Sequence, residues 1–372
     1  MSIPAIILGA ILILVVLWET FESIILPRSV IRRLRLTRLF YQMSWKSFLL
    51  LRPRGMGSSF RESYLSAFGP LSLLALIALW VIFLIFGFAV VLWGLGSPIS
   101  SSVGGNHFLH DLYFSGTTFF TLGLGDMTPN SAIARTLAVV EAGVGLGFVA
   151  IVIGYVPVIY ASFSRRESGI SLLDARAGSP PCASEMLIRH AKSNSLPALT
   201  VLLDKFEMWA SDLMESHLSY PVASYYRSQH DRESWISAIA GIMDACALIS
   251  LRFEGAPEWE SALHWQAYMT YAMCRHAIVD LSMVLDTPPA SPLENRLPHE
   301  EFLKLIARLE RANIALRKDD KLEERLSAIR SQYEPYLHSL SRRLLMPLPP
   351  WTPDDSAQDN WESSAWGSDG HL

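Results

Sequence analysis

Thr121-Leu122-Gly123-Leu124-Gly125-Asp126 is the stretch of this chain whose residue types and spacing can do chemistry. A path selective for one cation needs oxygens that replace the ion's water shell in stacked rings, and backbone carbonyls can supply them. Successive carbonyls turn to one side only where alternate residues take left-handed dihedrals, which glycine adopts without a Cβ penalty. Gly123 and Gly125 supply that alternation. The carbonyls of Thr121, Leu122, Gly123 and Leu124, with the Thr121 hydroxyl, would form the rings once four copies surround one axis, and the ion-binding segment runs through Gly125. Asp126 would end the segment at its outer mouth.

Such a segment works only if something holds it at membrane depth. Mean hydropathy over the 372 residues is positive, yet the apolar residues are concentrated in the first 165 or so. Three runs there, Ile3 to Leu26, Leu71 to Trp93 and Ala134 to Phe163, are each long enough to cross a hydrocarbon core of about 30 Å. From Arg28 to Arg61 the chain carries Arg28, Arg32, Arg33, Arg35, Arg38, Lys46, Arg52, Arg54 and Arg61 and no acidic residue. Between Leu95 and Ser131 there is no Lys or Arg, and Arg165 and Arg166 follow the third run. Positive loops stay inside, which puts the amino terminus outside, residues 28 to 62 inside, the 95 to 131 loop outside and the long carboxy-terminal region inside. Leu36 to Leu51 mixes Phe40, Tyr41, Trp45 and Phe48 with Arg38 and Lys46, a pattern open to an interfacial helix or a solvated loop. Within the outer loop, Phe108 to Phe120 is apolar but too short to span, which predicts a re-entrant helix leading into the glycine-bearing segment.

The run Tyr113-Phe114-Ser115-Gly116-Thr117-Thr118-Phe119-Phe120-Thr121-Leu122-Gly123-Leu124-Gly125-Asp126-Met127-Thr128-Pro129 resembles the pore loop of the two-transmembrane potassium-channel superfamily. The resemblance extends over Leu71 to Arg165, where span, short helix, filter, aspartate and second span follow in that family's order. It implies a prokaryotic channel with an extra amino-terminal span, passing K+ as the permeant ion without a cofactor. Two positions depart from the family: Leu122 and Leu124 stand where Val or Ile and then Tyr or Phe are usual. Leu124 resembles one of the filters of tandem-pore potassium channels and lacks the aromatic edge that braces a filter against its pore helix. Phe120 stands where a small or hydroxylated residue is common. Arg135 and Gly145 match positions where the superfamily often has an inner-helix arginine and a glycine hinge.

Residue chemistry leaves the remaining pore positions open between two roles each. Gly145, with Gly143 and Gly147, serves close packing or a gating hinge. Pro157 bends the inner helix near its inner end, either as a tolerated kink or as a gate. Glu141, an ionisable group inside a span, is either paired against the back of the pore helix or Arg135, or attracts ions and senses pH. His107, His110 and Asp111 either open the short helix, where a carboxylate favours the positive end of the dipole, or sense external protons.

After Ser164 the charged half carries helical spacing, with spans predicted at 184 to 194, 196 to 217, 233 to 252, 259 to 285, 299 to 317 and 320 to 346. In the last, Leu322, Leu326, Ile329, Tyr333, Leu337, Leu340 and Leu344 make one apolar face, for its own domain or for another subunit. No strand followed by G-x-G-x-x-G points to a nucleotide-binding gating domain. Cys182, Cys246 and Cys274 lack metal-type spacing, and His276 with Asp280 reads as a satisfied core or surface pair rather than a metal site. No catalytic motif is present, so an enzyme is not expected. A net charge of −4 gives no reason to expect a nucleic-acid partner.

The expectation is an all-α membrane protein. An amino-terminal transmembrane helix (1–27) precedes a basic linker (28–68) and a pore domain (69–163). A helical cytoplasmic domain (164–346) open to an unknown ligand and a mobile tail (347–372) follow. One filter sequence per chain requires a homotetramer, in the inner plasma membrane, conducting K+ passively under an unidentified stimulus. The alternatives are a poorly selective cation channel and a non-conducting membrane-anchored binding or scaffold protein.

Overall fold

The computed structural model describes residues 1–26, 36–51, 58–101, 107–192, 195–230, 232–253, 259–291, 294–317, 319–353 and 359–362. Arg28, Arg32, Arg33, Arg35, Arg52 and Arg54 of the basic linker lie outside the described residues. The chain is an all-α membrane protein in architecture, and it forms two compact units, Met1–Tyr160 and Ala161–Leu372. Among the described residues three helical stretches are long and apolar enough to cross a membrane: Ile3–Ile25, Phe60–Gly94 and Ala132–Ala177.

In the first unit, α1 (Ile3–Thr20) continues through a π-helical turn, Phe21–Ile25, and packs along α4 (Phe68–Gly94). Glycines make that seam. A Cβ on Gly9 would lie 2.7 Å from the Gly87 carbonyl oxygen, and one on Gly94 would lie 2.7 Å from Ile6 Cγ1. Small residues let two helices approach this closely where no hydrophobic effect drives them together. Glu19 and Glu22, at the far end of the first span, are buried. Glu19 accepts the Thr37 N–H at 2.9 Å and the Thr37 hydroxyl at 2.6 Å, so it caps the start of α2 (Leu36–Leu50) with a side chain from another helix. Glu22 accepts the Trp18 indole N–H at 2.9 Å. The 36–51 stretch is thus a helix, with Tyr41 and Trp45 buried and the Trp45 ring edge-on to Phe68 at 4.7 Å. A short α3 (Ser58–Ser66) leads into α4, and Tyr64 stacks on Phe48 at 4.3 Å.

After α4 come β1 (Ile99–Ser101), α5 (His107–Phe119), β2 (Met127–Pro129) and α6 (Ala132–Ala177). The strands pair antiparallel, with Ser100 opposite Thr128, and no strand was expected here. Three residues a side is too short to leave a period-two pattern in sequence. The inner helix was expected to end at Phe163, but α6 continues to Ala177. Charge at Arg165, Arg166 and Glu167 ends an apolar run without ending a helix, because these are good helix formers. Termination comes at Gly178, whose φ of 85° is left-handed.

The second unit is helical. Around α9 (Trp235–Ser250), buried from Trp235 to Ile249, lie α7 (Ala183–Lys192), α8 (Ala198–Ser219), α10 (Glu260–Val284), α12 (Leu322–Arg330) and α13 (Glu334–Leu344), while α11 (His299–Arg311) packs on α7. Ser234 opens α9 with a capping box, its side chain accepting the Ser237 N–H while the Ser237 hydroxyl accepts the Ser234 N–H. The single helix expected over 320–346 is two, divided at Ser331–Tyr333, because Pro335 in the first turn of α13 has no N–H to continue the ladder. The seven-residue apolar face is nevertheless turned mainly into its own unit, with Leu326, Tyr333, Leu337, Leu340 and Leu344 buried.

The tail expected to be mobile over 347–372 is packed where it is described. Trp351 is buried, with Arg296 and Arg330 over its ring, and Asp359 pairs with Arg189 at 2.6 Å. Its composition concealed two anchors, a tryptophan that the unit buries and a carboxylate that Arg189 pairs. Residues 354–358 and 363–372 of that tail lie outside the described residues.

Candidate functional site

The site is built at the carboxy-terminal end of α5. At about 1.5 Å per residue this 13-residue helix is roughly 20 Å long, short of a hydrocarbon core. It packs on α4 and is buried through Asp111, Phe114, Ser115 and Phe119, a stripe at helical spacing. Its end is a two-bond cap: the Thr121 N–H donates to the Thr118 carbonyl at 2.9 Å, and the Leu122 N–H to the Thr117 carbonyl at 2.8 Å. This cap demands a left-handed residue at the position Thr121 occupies, and Thr121 takes φ of 54°. Glycine would adopt that angle more cheaply but would bring no hydroxyl.

Left-handed angles then alternate down the segment. Gly123 has φ of 56° and Gly125 φ of 79°, so residues 121, 123 and 125 share the sign expected of a ribbon whose carbonyls turn to one side. Within the chain the ribbon is bare. A Cβ on Gly123 or Gly125 would have nothing within 4 Å, and Leu122 and Leu124 are 61% and 64% exposed. Asp126, also exposed, receives a hydrogen bond from the Tyr113 hydroxyl of α5. β2 follows at once, and its ladder with β1, extended by the Asn130 N–H to the Pro98 carbonyl at 3.0 Å, fixes the exit.

Glu141 is fully buried and hydrogen-bonds Ser115 on α5. It faces α5 rather than Arg135, whose Nε instead donates to the Pro129 carbonyl at 3.3 Å. Gly145 is a seat. A Cβ there would lie 2.0 Å from the Phe119 carbonyl oxygen, so the glycine is required by close approach of the two helices. Pro157 is exposed inside α6, which remains one helix through it. Asp111 is fully buried and accepts the Ser97 hydroxyl at 2.6 Å, while His107 lies at the exposed start of α5.

No role was expected for Ser97, and Tyr113 and Ser115 entered only as members of the run that carries the resemblance. The last was findable, since Asp111, Ser115 and Phe119 repeat every four residues on one helical face. In the second unit, His276 and Asp280 make an exposed pair 3.3 Å apart, and among the described residues no group of three or more His, Cys, Asp or Glu is placed to hold a metal. Cys182, Cys246 and Cys274 are buried thiols.

Two apolar helices, α4 and α6, flanking a short buried helix and an exposed left-handed ribbon define a membrane protein whose distinctive surface is backbone. Residues 74–160 match the family model described as an ion channel. The chain is also 26% identical over 148 residues to an uncharacterized membrane protein, YdjJ, of Bacillus subtilis (strain 168), a stretch covering 40% of this chain and 41% of that protein. It therefore spans about two-fifths of the length of the curated relative it matches. No solved structure matches.

Proposed function

We propose that this chain is the subunit of a homotetrameric, potassium-selective channel that conducts K+ passively through the inner plasma membrane. One observation carries it: the left-handed alternation at Thr121, Gly123 and Gly125 on a ribbon with no wall of its own. Four such ribbons around one axis would enclose rings of carbonyl oxygens from Thr121, Leu122, Gly123 and Leu124, and Asp126 would stand at the outer mouth. One ribbon encloses nothing, which supports assembly around a closed symmetry axis. The charge asymmetry puts the amino terminus outside and Ala161–Leu372 in the cytoplasm, where an unidentified ligand or other stimulus would act. Gating is assigned to the inner helix below the filter, around Pro157, since the Gly145 backbone is committed to the pore helix. Neither a cofactor nor a nucleic acid has a part in this mechanism.

The full-length protein in planar bilayers with K+ on one side and Na+ on the other should show a reversal potential set by K+. Each tenfold of permeability ratio displaces it by about 59 mV. Chemical cross-linking should stop at four chains. Equal K+ and Na+ permeability would leave a poorly selective cation channel. Tetramers that stay silent would leave a membrane-anchored scaffold.

A further inference from the structure

The Ser115 hydroxyl of α5 lies within hydrogen-bond reach of both flanking spans. Its Oγ lies 2.8 Å from the Ile85 carbonyl oxygen of α4 and hydrogen-bonds Glu141 Oε1 of α6. Ser115 and Glu141 are both fully buried. The serine has a single proton, and a carbonyl can only accept. Both contacts are therefore satisfied together only when the Glu141 carboxyl supplies the second proton. Among the described residues Glu141 Oε2 has no hydrogen-bond partner, which also fits a neutral acid better than a carboxylate.

Ser115 stands one turn before Phe119, and the carbonyls of Thr117 and Thr118 hold the first N–H groups of the ribbon. Rotating or sinking α5 would move the ribbon with it. Apolar packing restrains such motion weakly, whereas a satisfied buried polar network fixes one arrangement. We propose that Ser115 and Glu141 are positioning residues for ion selection: they set the rotation and depth of the pore helix, and through it the spacing of the carbonyl rings. This rests on the channel reading above.

The test is the bi-ionic reversal potential of Ser115→Ala, Glu141→Ala, Glu141→Gln and the double alanine variant, all in full-length protein. Each alanine should lower the K+ over Na+ permeability ratio about tenfold, a shift near 59 mV. Glu141→Gln, whose amide donates to the serine in place of the acid proton, should stay within about threefold of wild type. The double variant should be no worse than either single one, as expected of two residues acting through one contact. Should Glu141→Ala fail to assemble, Ser115→Ala, which removes one oxygen atom, carries the same test. Wild-type selectivity in Ser115→Ala, or loss in Glu141→Gln equal to that in Glu141→Ala, would overturn the inference. A wild-type channel that does not distinguish K+ from Na+ would instead overturn the reading on which it rests.

Discussion

Gly145→Ala puts the close approach of α6 to the pore helix to the test. The added Cβ would stand 2.0 Å from the Phe119 carbonyl oxygen and 2.9 Å from its carbon, against 3.4 Å for an ordinary contact. The obstacle is backbone, so no side-chain rotation relieves it, and one helix must move by about 1.4 Å. Overpacking of this kind costs about 1–3 kcal/mol, while replacing a mid-helix glycine by alanine returns about 1 kcal/mol. The net effect on stability is therefore small to moderate. The effect on conduction is not, because binding geometries tolerate only about 0.5 Å and Phe119 is two residues from Thr121. The expected result is an assembled protein with reduced single-channel current and a reversal potential moved toward zero under bi-ionic conditions. Gly143→Ala and Gly147→Ala, whose Cβ atoms would meet nothing within 4 Å in the chain, should keep the wild-type reversal potential. A hinge glycine behaves otherwise, since its replacement alters open probability and leaves open-channel selectivity alone. Gly145→Ala with wild-type current and reversal potential would refute the seat.

Three further outcomes are expected. Tyr113→Phe removes the hydroxyl that holds Asp126 and should shorten single-channel openings while sparing assembly by cross-linking. Asp174, on α6, accepts the Trp361 N–H at 2.7 Å and the Asn360 N–H at 3.2 Å; Asp174→Ala should release 359–362, and a loss of about 1.4 kcal/mol would speed amide exchange at Trp361 about tenfold. His217, fully buried beside the Arg166 guanidinium, is held well below the usual imidazole range, first by burial and then by that charge. It stays neutral when folded and gains a proton when unfolded, so its contribution is complete above about pH 6.5 and falls with pH below it, by up to about 1.4 kcal/mol per pH unit. Glu233, pushed up to about 7 by burial, has the opposite sign, losing stability as pH rises from about 4.5 toward 7. The difference in thermal midpoint between wild type and His217→Gln should therefore narrow as pH falls from 7 to 5, and a constant difference would contradict it.

What the sequence disclosed and what it hid divide along physical lines. Long apolar runs, a helix too short to span and two glycines at alternate positions are signals carried by many residues at once, and each element they announce is present. Interrupted periodicity was harder: Leu322 to Leu344 kept its apolar spacing across Pro335, and the spacing outweighed a single residue that broke the helix. Partners at distant positions were not named by local sequence, even where, as at Glu141, a pairing was among the expectations. Glu19 meets Thr37, Ser97 meets Asp111 and Ser115 meets Glu141, and each pair joins segments that only the folded chain brings together. Leu124 shows why the distinction bears on function. On the channel reading an aromatic residue at this position would brace the filter and Leu124 does not, while the Tyr113 hydroxyl on Asp126 and the Gly145 seat under Phe119 supply restraints from outside the motif. On that reading α5 and α6 restrain the ribbon alongside the six residues that form it. Substituting Leu124 alone should therefore change selectivity less than disturbing either of those two contacts.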